Sequence, residues 1–319
     1  MIVSQETISG RPRSTIPRRW MSLAVVCAIV AGPHCQSDVL AQDAVSPETG
    51  SLRVLSFNVR YNNEGDGVNA WPNRADRVAG LIRFYEPDVA GLQEVLVGQL
   101  QDLEARLPEY AWVGVGRDDG LEGGEFSPIY YRPDRLEVVE HGTFWLSETP
   151  DSVGSRGWDA ALPRIATWAV LRERASGQTL RVFNTHFDHR GPEARLESAR
   201  LLRIRVIEMA GGDPAIVTGD LNAQPGSPPI QALTECSDAS IAEACLHDTR
   251  TLVSGAYGPD GTMHGFAVTE EPARRIDYVF TTSHFEVTRQ GHLTDSEGGF
   301  YPSDHIPVLA DLVLVGNRD

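Results

Sequence analysis

Hydrophobic positions along the chain fall into short runs that stop abruptly on polar or acidic residues, with helical spacing between some of them. Leu52 to Phe57 (LRVLSF) reads as a buried strand ending at Asn58. After a loop rich in Asn, Gly and Asp, the segment Asn73 to Tyr85 carries Val78, Leu81, Ile82 and Tyr85 on one helical face, and Pro87 closes it. Asp88 to Leu92 predicts a second strand, ending on Gln93 and Glu94. A helix over Val97 to Leu107 leads to strand-like runs at Tyr110 to Val115, Ser127 to Tyr131 and Leu136 to Leu146, with no helix between them. Part of the sheet is therefore expected to be antiparallel. Ile165 to Arg172 and Thr179 to Asn184 flank Ala175-Ser176-Gly177 as a hairpin. Pro192 opens a helix with Leu196, Ala199, Leu202, Val206 and Ala210 on one face, and Gly211-Gly212 stops it. Ile216 to Thr218, Ile276 to Thr281 and Ile306 to Leu314 are further strands.

Strand, helix, strand with polar residues at the strand ends is the pattern of an α/β domain whose site lies at the carboxyl edges of its strands. No internal repeat or low-complexity stretch interrupts it. One domain over residues 51–319, after a linker at 42–50, is the simplest organisation. The first forty residues stand apart. Arg11, Arg13, Arg18 and Arg19 precede an apolar run, Met21 to Gly32, and Val39-Leu40-Ala41 offers small residues for cleavage. Residues 1–41 read as a secretory signal, because the apolar run is shorter than the ~20 residues of a spanning helix. A secreted or periplasmic protein without a transmembrane segment is expected. Cys236 and Cys245 would remain in the mature chain, either paired or as free thiols.

Charge narrows the partners. The chain has 28 basic and 44 acidic residues, and every basic residue is arginine. Such a balance disfavours a stable complex with nucleic acid and suits small anions held by guanidinium forks.

Candidate chemistry collects where strands begin or end: Asn58, Glu94, His186, Asp220 with Asn222, Asp277, and Asp304 with His305. Carboxylates, amides and histidines without cysteine form an oxygen-rich set suited to Mg²⁺ or Mn²⁺. The stretch Arg181 to Gly191 (RVFNTHFDHRG) admits two readings. His186-Phe187-Asp188-His189 could be half of a two-zinc signature, as in metallo-β-lactamase-type hydrolases. It could equally be a strand that offers His186 alone.

LSFNVR, LQEV, NTHFDH, TGDLN, RIDYVF and YPSDHIPV, in this order, resemble the endonuclease/exonuclease/phosphatase superfamily, over Leu52 to Leu314. The resemblance implies a four-layer α/β sandwich, with two mixed β-sheets packed face to face and helices outside. It further implies that Asn58, Glu94 and Asp304 hold a divalent cation, Mg²⁺ or Mn²⁺. Asp220 and Asn222 would act beside the scissile phosphate, with Asp220 handling the attacking water. His305 paired with Asp277 would stabilise or protonate, and His186 would contact a phosphate oxygen or the leaving group. Arg164 matches a phosphate-binding arginine of the family, and Tyr131 and His264 are candidates for the substrate pocket. Asp188 and His189 become supporting or wall residues.

The implied activity is metal-dependent hydrolysis of a phosphodiester or phosphomonoester by in-line attack of water. The zinc-hydrolase reading is weakened by Asn184 at the first histidine position of its motif. A non-catalytic binding protein on the same fold would be expected to have lost one of these residues. FWLSETP, GWDAALPRIATWA and NTHFDHRGPEARLESA are similar to a bacterial exported subgroup. Export and acidity favour a small phosphoester or lipid head group over duplex DNA, with nucleic acid as the remaining substrate class.

Overall fold

Two six-stranded sheets face each other, and helices cover their outer sides. The computed structural model describes residues 50–236, 245–267, 271–272 and 274–315. The expected signal and all of the expected linker except Gly50 lie outside these residues. Among the described residues, no helix is long and apolar enough to cross a membrane.

The first sheet contains β1 (Ser51–Asn58), β2 (Val89–Gln93), β3 (Ala111–Val113), β4 (Ile129–Tyr131), β11 (Phe285–His292) and β12 (Val308–Leu314), in the order β11-β12-β1-β2-β4-β3. The second contains β5 (Leu136–Trp145), β6 (Ile165–Glu173), β7 (Thr179–His186), β8 (Ala215–Asp220), β9 (His247–Asp248) and β10 (Asp277–Thr281), in the order β5-β6-β7-β8-β10-β9. In each sheet one central pair is parallel, β1 with β2 and β7 with β8, and the other pairs are antiparallel. Both sheets are therefore mixed, as expected.

Helices α1 (Ala75–Tyr85) and α2 (Val97–Arg106) pack on the first sheet through Val78, Ile82, Leu100 and Leu103 against Leu55, Phe57 and Leu92. Helices α3 (Pro192–Ala210) and α4 (Pro228–Thr234) cover the second through Ala199, Leu202, Val206 and Ile230 against Phe183 and Val217. Proline at the start and a left-handed Gly211 at the end bound α3 as the sequence predicts, and Asp159 accepts from the N–H groups of Glu193 and Ala194. On α3, Ala194 and Ser198 rather than Leu196 complete the buried face. Elements β9, β11 and α4 escaped the sequence reading, because their apolar content is too low or their length too short to show a period.

Strand alternation decides what faces the opposite sheet. The inter-sheet core contains Leu52, Val54, Val89, Leu180, Val182, Ile216 and Val279, and the last five are at most 2 % exposed. Each buried aliphatic side chain there contributes roughly 1.5–3 kcal/mol. Further along the same faces, the apolar pairs give way to Ser56, Gly91, Asn184 and Thr218, and then to Asn58, Gln93, His186 and Asp220. The polar middle layer is fully bonded at its centre. Asn184 Nδ2 donates to Leu92 O (2.7 Å) and Pro128 O (2.9 Å), and its Oδ1 accepts from Gln93 Nε2 (2.7 Å) and Thr218 Oγ1 (3.0 Å). A Cβ on Gly91 would overlap Thr218 Oγ1 and lie 2.6 Å from Asn184 Oδ1, so only glycine leaves room for the cross-sheet bonds.

Candidate active site

Six groups predicted from strand ends converge at one edge of the sandwich. Asn58 closes β1, His186 closes β7, Asp220 closes β8, and Asp277 opens the antiparallel β10 directly opposite Asp220. Parallel pairing places His186 level with Asp220. Glu94 and Asn222 each follow a strand in left-handed backbone conformation, at φ 62° and 46°. That geometry is uncommon outside glycine and asparagine; it costs of order 1–3 kcal/mol and persists only where contacts offset the cost. Glu94 is held by Asn58 Nδ2 (3.0 Å) and Tyr61 N (3.0 Å), and Asn222 by the Asp220 carboxylate (2.9 Å from its N–H) and Phe187 O (3.1 Å).

Asp220 is the centre of the arrangement. Its Oδ2 accepts from Asn58 Nδ2 (2.9 Å) and lies 3.5 Å from His186 Nε2 and 3.9 Å from His305 Nδ1. Burial, with help from the neighbouring Asp277 carboxylate, pushes the Asp220 pKa up to about 7. Burial acts on His305 in the opposite sense, but Asp277 at 2.9 Å, with Asp220 and Asp304, raises its pKa well above the ordinary histidine value. Thr262 Oγ1 donates to the same Asp277 oxygen (2.6 Å) and so fixes that carboxylate behind the ring. Burial and the nearby Arg164 and Arg117 charges hold His186 well below the usual value, which keeps it neutral. Two imidazoles flanking one carboxylate therefore differ in charge.

The resemblance implies Asn58, Glu94 and Asp304 as the metal set, and the structure changes the emphasis. Ligand-type atoms of Glu94, His186 and Asp220, and separately of Asp220, Asp277 and His305, all lie within 4.8 Å of one another. This donor chemistry fits a divalent cation, with Glu94 and Asp220 as its anionic oxygens. Asn58 presents Nδ2 rather than Oδ1 to those carboxylates, since its Oδ1 accepts from Arg60 N (2.9 Å), so its amide must turn to act as a ligand. Asp304 belongs to neither cluster. Ser303 Oγ links it to Asn58 O, and Arg60 Nε lies 3.9 Å from its carboxylate.

Of the substrate candidates, Arg164 is at the site. It is buried, with Nε on Asp188 Oδ2 (3.3 Å) and Nη2 against His189 Nδ1 (2.9 Å), which gives Asp188 and His189 supporting places. His264 also reaches the site, with its ring tilted at 46° against Tyr301 (4.3 Å between centroids) and its backbone N–H on Asp304 O. Burial lowers its pKa to about 4. Tyr131 does not reach it. That residue pairs with Val89, at the opposite end of β2 from Gln93, and packs against the inter-sheet core. Aromatic content in a strand here signals packing, and the four residues from Val89 to Gln93 carry the strand roughly 13 Å away.

The sequence reading missed several contributors. Arg74 is buried and donates to Val59 O (2.8 Å), Arg60 O (3.2 Å) and Pro302 O (2.7 Å), tying the end of β1 to the Asp304 loop. Arg117 and Glu125, paired at 2.7 Å, sit beside His186, with Glu125 Oε2 3.8 Å from its Nδ1. A charged residue beside glycines in GRDDG and GGEF was the available signal. Next to Asn222 and His189 opens a cleft of about 650 Å³, lined also by Glu193, Arg195, Gln224 and Arg274. Cys236 and Cys245 are joined as a disulfide, which decides the pairing left open by the sequence.

Asp188 yields a testable stability change. Burial alone would raise its pKa, but the N–H groups of Gly191, Arg190 and Ala161, with Arg164, bring it to about 2. A depressed carboxylate stabilises the fold above its unfolded pKa of about 3.9, and the contribution fades as pH falls towards 2. Discounted for solvent screening, it is on the order of 1–2 kcal/mol. The stability gap between wild type and Asp188→Asn, measured by urea unfolding, is expected to be largest near neutral pH and to close below about pH 4. A gap that stayed constant to pH 2 would contradict this account.

A buried carboxylate between a neutral and a protonated imidazole, on the open edge of a two-sheet sandwich, is an arrangement suited to hydrolysis. The chain belongs to the Endonuclease/Exonuclease/phosphatase family, whose profile matches residues 55–305. It is similar to an endonuclease/exonuclease/phosphatase from Bacteroides vulgatus, at 42 % identity and TM-score 0.77, covering 83 % of this chain and 99 % of that one. A mannosyl-6-phosphatase from Bacteroides thetaiotaomicron is 38 % identical with TM-score 0.75, covering 82 % of this chain and all (100 %) of the other. Nocturnin of Drosophila melanogaster is 24 % identical over 313 residues, which are 84 % of this chain and 47 % of nocturnin. The chain thus spans about half the length of that relative.

Proposed function

We propose that the protein is an exported, metal-dependent phosphoesterase that hydrolyses a small phosphate ester by in-line attack of water. The observation that carries this reading is Asp220, buried between His186 (3.5 Å) and His305 (3.9 Å) and held by Asn58 Nδ2 at 2.9 Å. A carboxylate fixed in that position is suited to orient water and take its proton. Asn222 Nδ2 lies 3.1 Å from His186 Nε2, which sets the ring's direction beside the reacting phosphate. His305, held protonated by Asp277, offers positive charge to the phosphoryl oxygens and a proton to the departing oxygen. Glu94 and Asp220, with Asn58 once its amide turns, would hold a divalent cation that neutralises phosphate charge. The similarity to a mannosyl-6-phosphatase supports a monoester of a small polyhydroxylated alcohol as substrate, and the cleft beside Asn222 has room for such a leaving group. The same cleft and the acidic surface fit a lipid head group less well, and nucleic acid least.

Chelation tests the cation directly. Treating the purified protein with EDTA is expected to abolish turnover of 4-nitrophenyl phosphate, and Mg²⁺ or Mn²⁺ should restore it. Restoration by zinc alone would overturn the Mg²⁺ or Mn²⁺ assignment.

A further inference from the structure

We propose that the alcohol part of the substrate carries a second acidic group, a phosphate or a carboxylate, and that Arg274 and Arg195 bind it in the cleft beside Asn222. The inference rests on the phosphoesterase reading above. The cleft, of about 650 Å³, is within the size range of small-molecule sites. Asn222 joins it to the reaction centre: its Nδ2 lies 3.1 Å from His186 Nε2, and that nitrogen lies 3.5 Å from Asp220. Asp220, His186 and His305 do not themselves line the cleft. A group bound there is therefore attached to the reacting phosphate but distinct from it.

The two arginines reach the cleft from different elements. Arg195 belongs to the start of α3. Its Nη1 donates to Asp188 O (2.9 Å), the only side-chain bond it makes among the described residues, so Nε and Nη2 stay unspent. Arg274 comes from the segment ahead of β10, where its carbonyl accepts from Thr262 N (2.8 Å) and Met263 N (3.1 Å) and fixes the backbone. Two residues on, Ile276 O accepts from Leu221 N (2.8 Å), next to Asp220. Three steps of chain, at most about 11 Å, separate Arg274 from Asp277. The far end of a sugar-sized alcohol esterified at Asp220 falls within that range.

Charge in the cleft is unspent rather than balanced. Arg275 is committed to Asp248 at 2.5 Å, whereas the side chain of its neighbour Arg274 makes no hydrogen bond or ion pair among the described residues. Glu193 lines the same cleft, yet it forms an ion pair with neither arginine. His189, whose pKa is lowered by burial and by Arg164, adds no charge at neutral pH. Two guanidinium groups against one carboxylate leave the cleft net positive, on a chain with 28 basic and 44 acidic residues. A guanidinium fork matches two oxygens of a phosphate or carboxylate, and a neutral hydroxyl would need no such charge. The carbon skeleton between the two acids has an apolar wall to rest on. Leu196, expected on the buried face of α3, is half-buried and lines the cleft with Pro192 and Ile276.

The test measures phosphate release from fructose 6-phosphate, fructose 1,6-bisphosphate and 6-phosphogluconate by the Mg²⁺-loaded full chain, with 4-nitrophenyl phosphate as the reference ester. Wild type is expected to show kcat/KM at least about tenfold higher for one of the two diacids than for fructose 6-phosphate, mainly through KM, the size of one charged hydrogen bond. Which diacid is preferred tells phosphate from carboxylate. Arg274→Ala and Arg195→Ala should each lower the value for that diacid by about 10–150-fold and the values for fructose 6-phosphate and 4-nitrophenyl phosphate by only a fewfold. Arg274→Lys should fall between, since it keeps charge without the fork. Because the Arg274 side chain is exposed and unpaired among the described residues, its loss should leave the thermal unfolding midpoint unchanged. A wild type that turns over 4-nitrophenyl phosphate but prefers neither diacid, or equal loss on all four esters in the two alanine variants, would overturn the inference and leave the phosphoesterase reading standing. A wild type inactive on all four esters would count against that reading instead, and calorimetry with the two diacids would then decide the site: binding weakened in Arg274→Ala sustains it, and absent or unchanged binding overturns it.

Discussion

Replacing His305 by alanine is expected to reduce turnover of a phosphoester by ~10²–10⁴-fold, the range of acid–base assistance by one side chain. The reason is positional. His305 is buried, its Nδ1 is committed to Asp277 at 2.9 Å, and the Asp220 carboxylate lies 3.9 Å away, so no neighbouring group can take over its charge. Asp277→Asn should lose less, because the ring remains while the influence that keeps it protonated is removed. Removing the ring also leaves a buried carboxylate unpaired, so folded fraction must be established by circular dichroism before rates are compared. Turnover within a fewfold of wild type in folded His305→Ala would sink the assignment.

The second large effect concerns the fold. Asn184→Leu is expected to destabilise the protein by on the order of 3–5 kcal/mol, measured by urea unfolding, because it disrupts four hydrogen bonds at the centre of the sandwich. Leucine keeps the branched shape and the number of side-chain heavy atoms but is bulkier, so the loss reports unmade hydrogen bonds and some overpacking rather than a cavity. Gln93 and Thr218 keep one alternative acceptor each, Gly91 O and Phe183 O, which limits the damage. A change below about 1 kcal/mol accompanied by loss of activity would move Asn184 from a sheet-to-sheet link to a participant in the chemistry.

The same residue shows how far the sequence could be read. In the sequence Asn184 stood at the first histidine position of the two-zinc motif and as the last residue of a predicted strand. In the structure the alternation continues: Val182, Asn184 and His186 all face the opposite sheet, and only their chemistry changes along the strand. Thr218 and Asp220 repeat the pattern on β8. Strand ends could be recognised because polarity changes there. Phase could not, because a polar residue in a buried face looks like the start of a loop until its partner across the sheets is known.

Arg117 and Tyr131 failed in opposite directions. Arg117 sits in a loop where charge is ordinary, so its burial beside His186 was invisible. Tyr131 sits near an arginine in a strand and suggested a pocket, whereas its register against Val89 turns it away from the site edge. Asp304 was placed in the right region but outside the tightest donor clusters, because local sequence order carries no side-chain direction.

What the sequence by itself determined is the set of elements, the mixed α/β class, and the polar residues that end the strands: Asn58, Glu94, His186, Asp220, Asp277 and His305. Period and punctuation are local, and apolar runs with abrupt polar ends survive any choice of topology. Only the tertiary structure decided that these ends share one edge, that His186 is neutral while His305 is charged, and that Arg117, Glu125 and Arg74 belong beside them. Strand order, register and burial are long-range quantities, and a side chain's charge state depends on which neighbours they bring within a few ångströms.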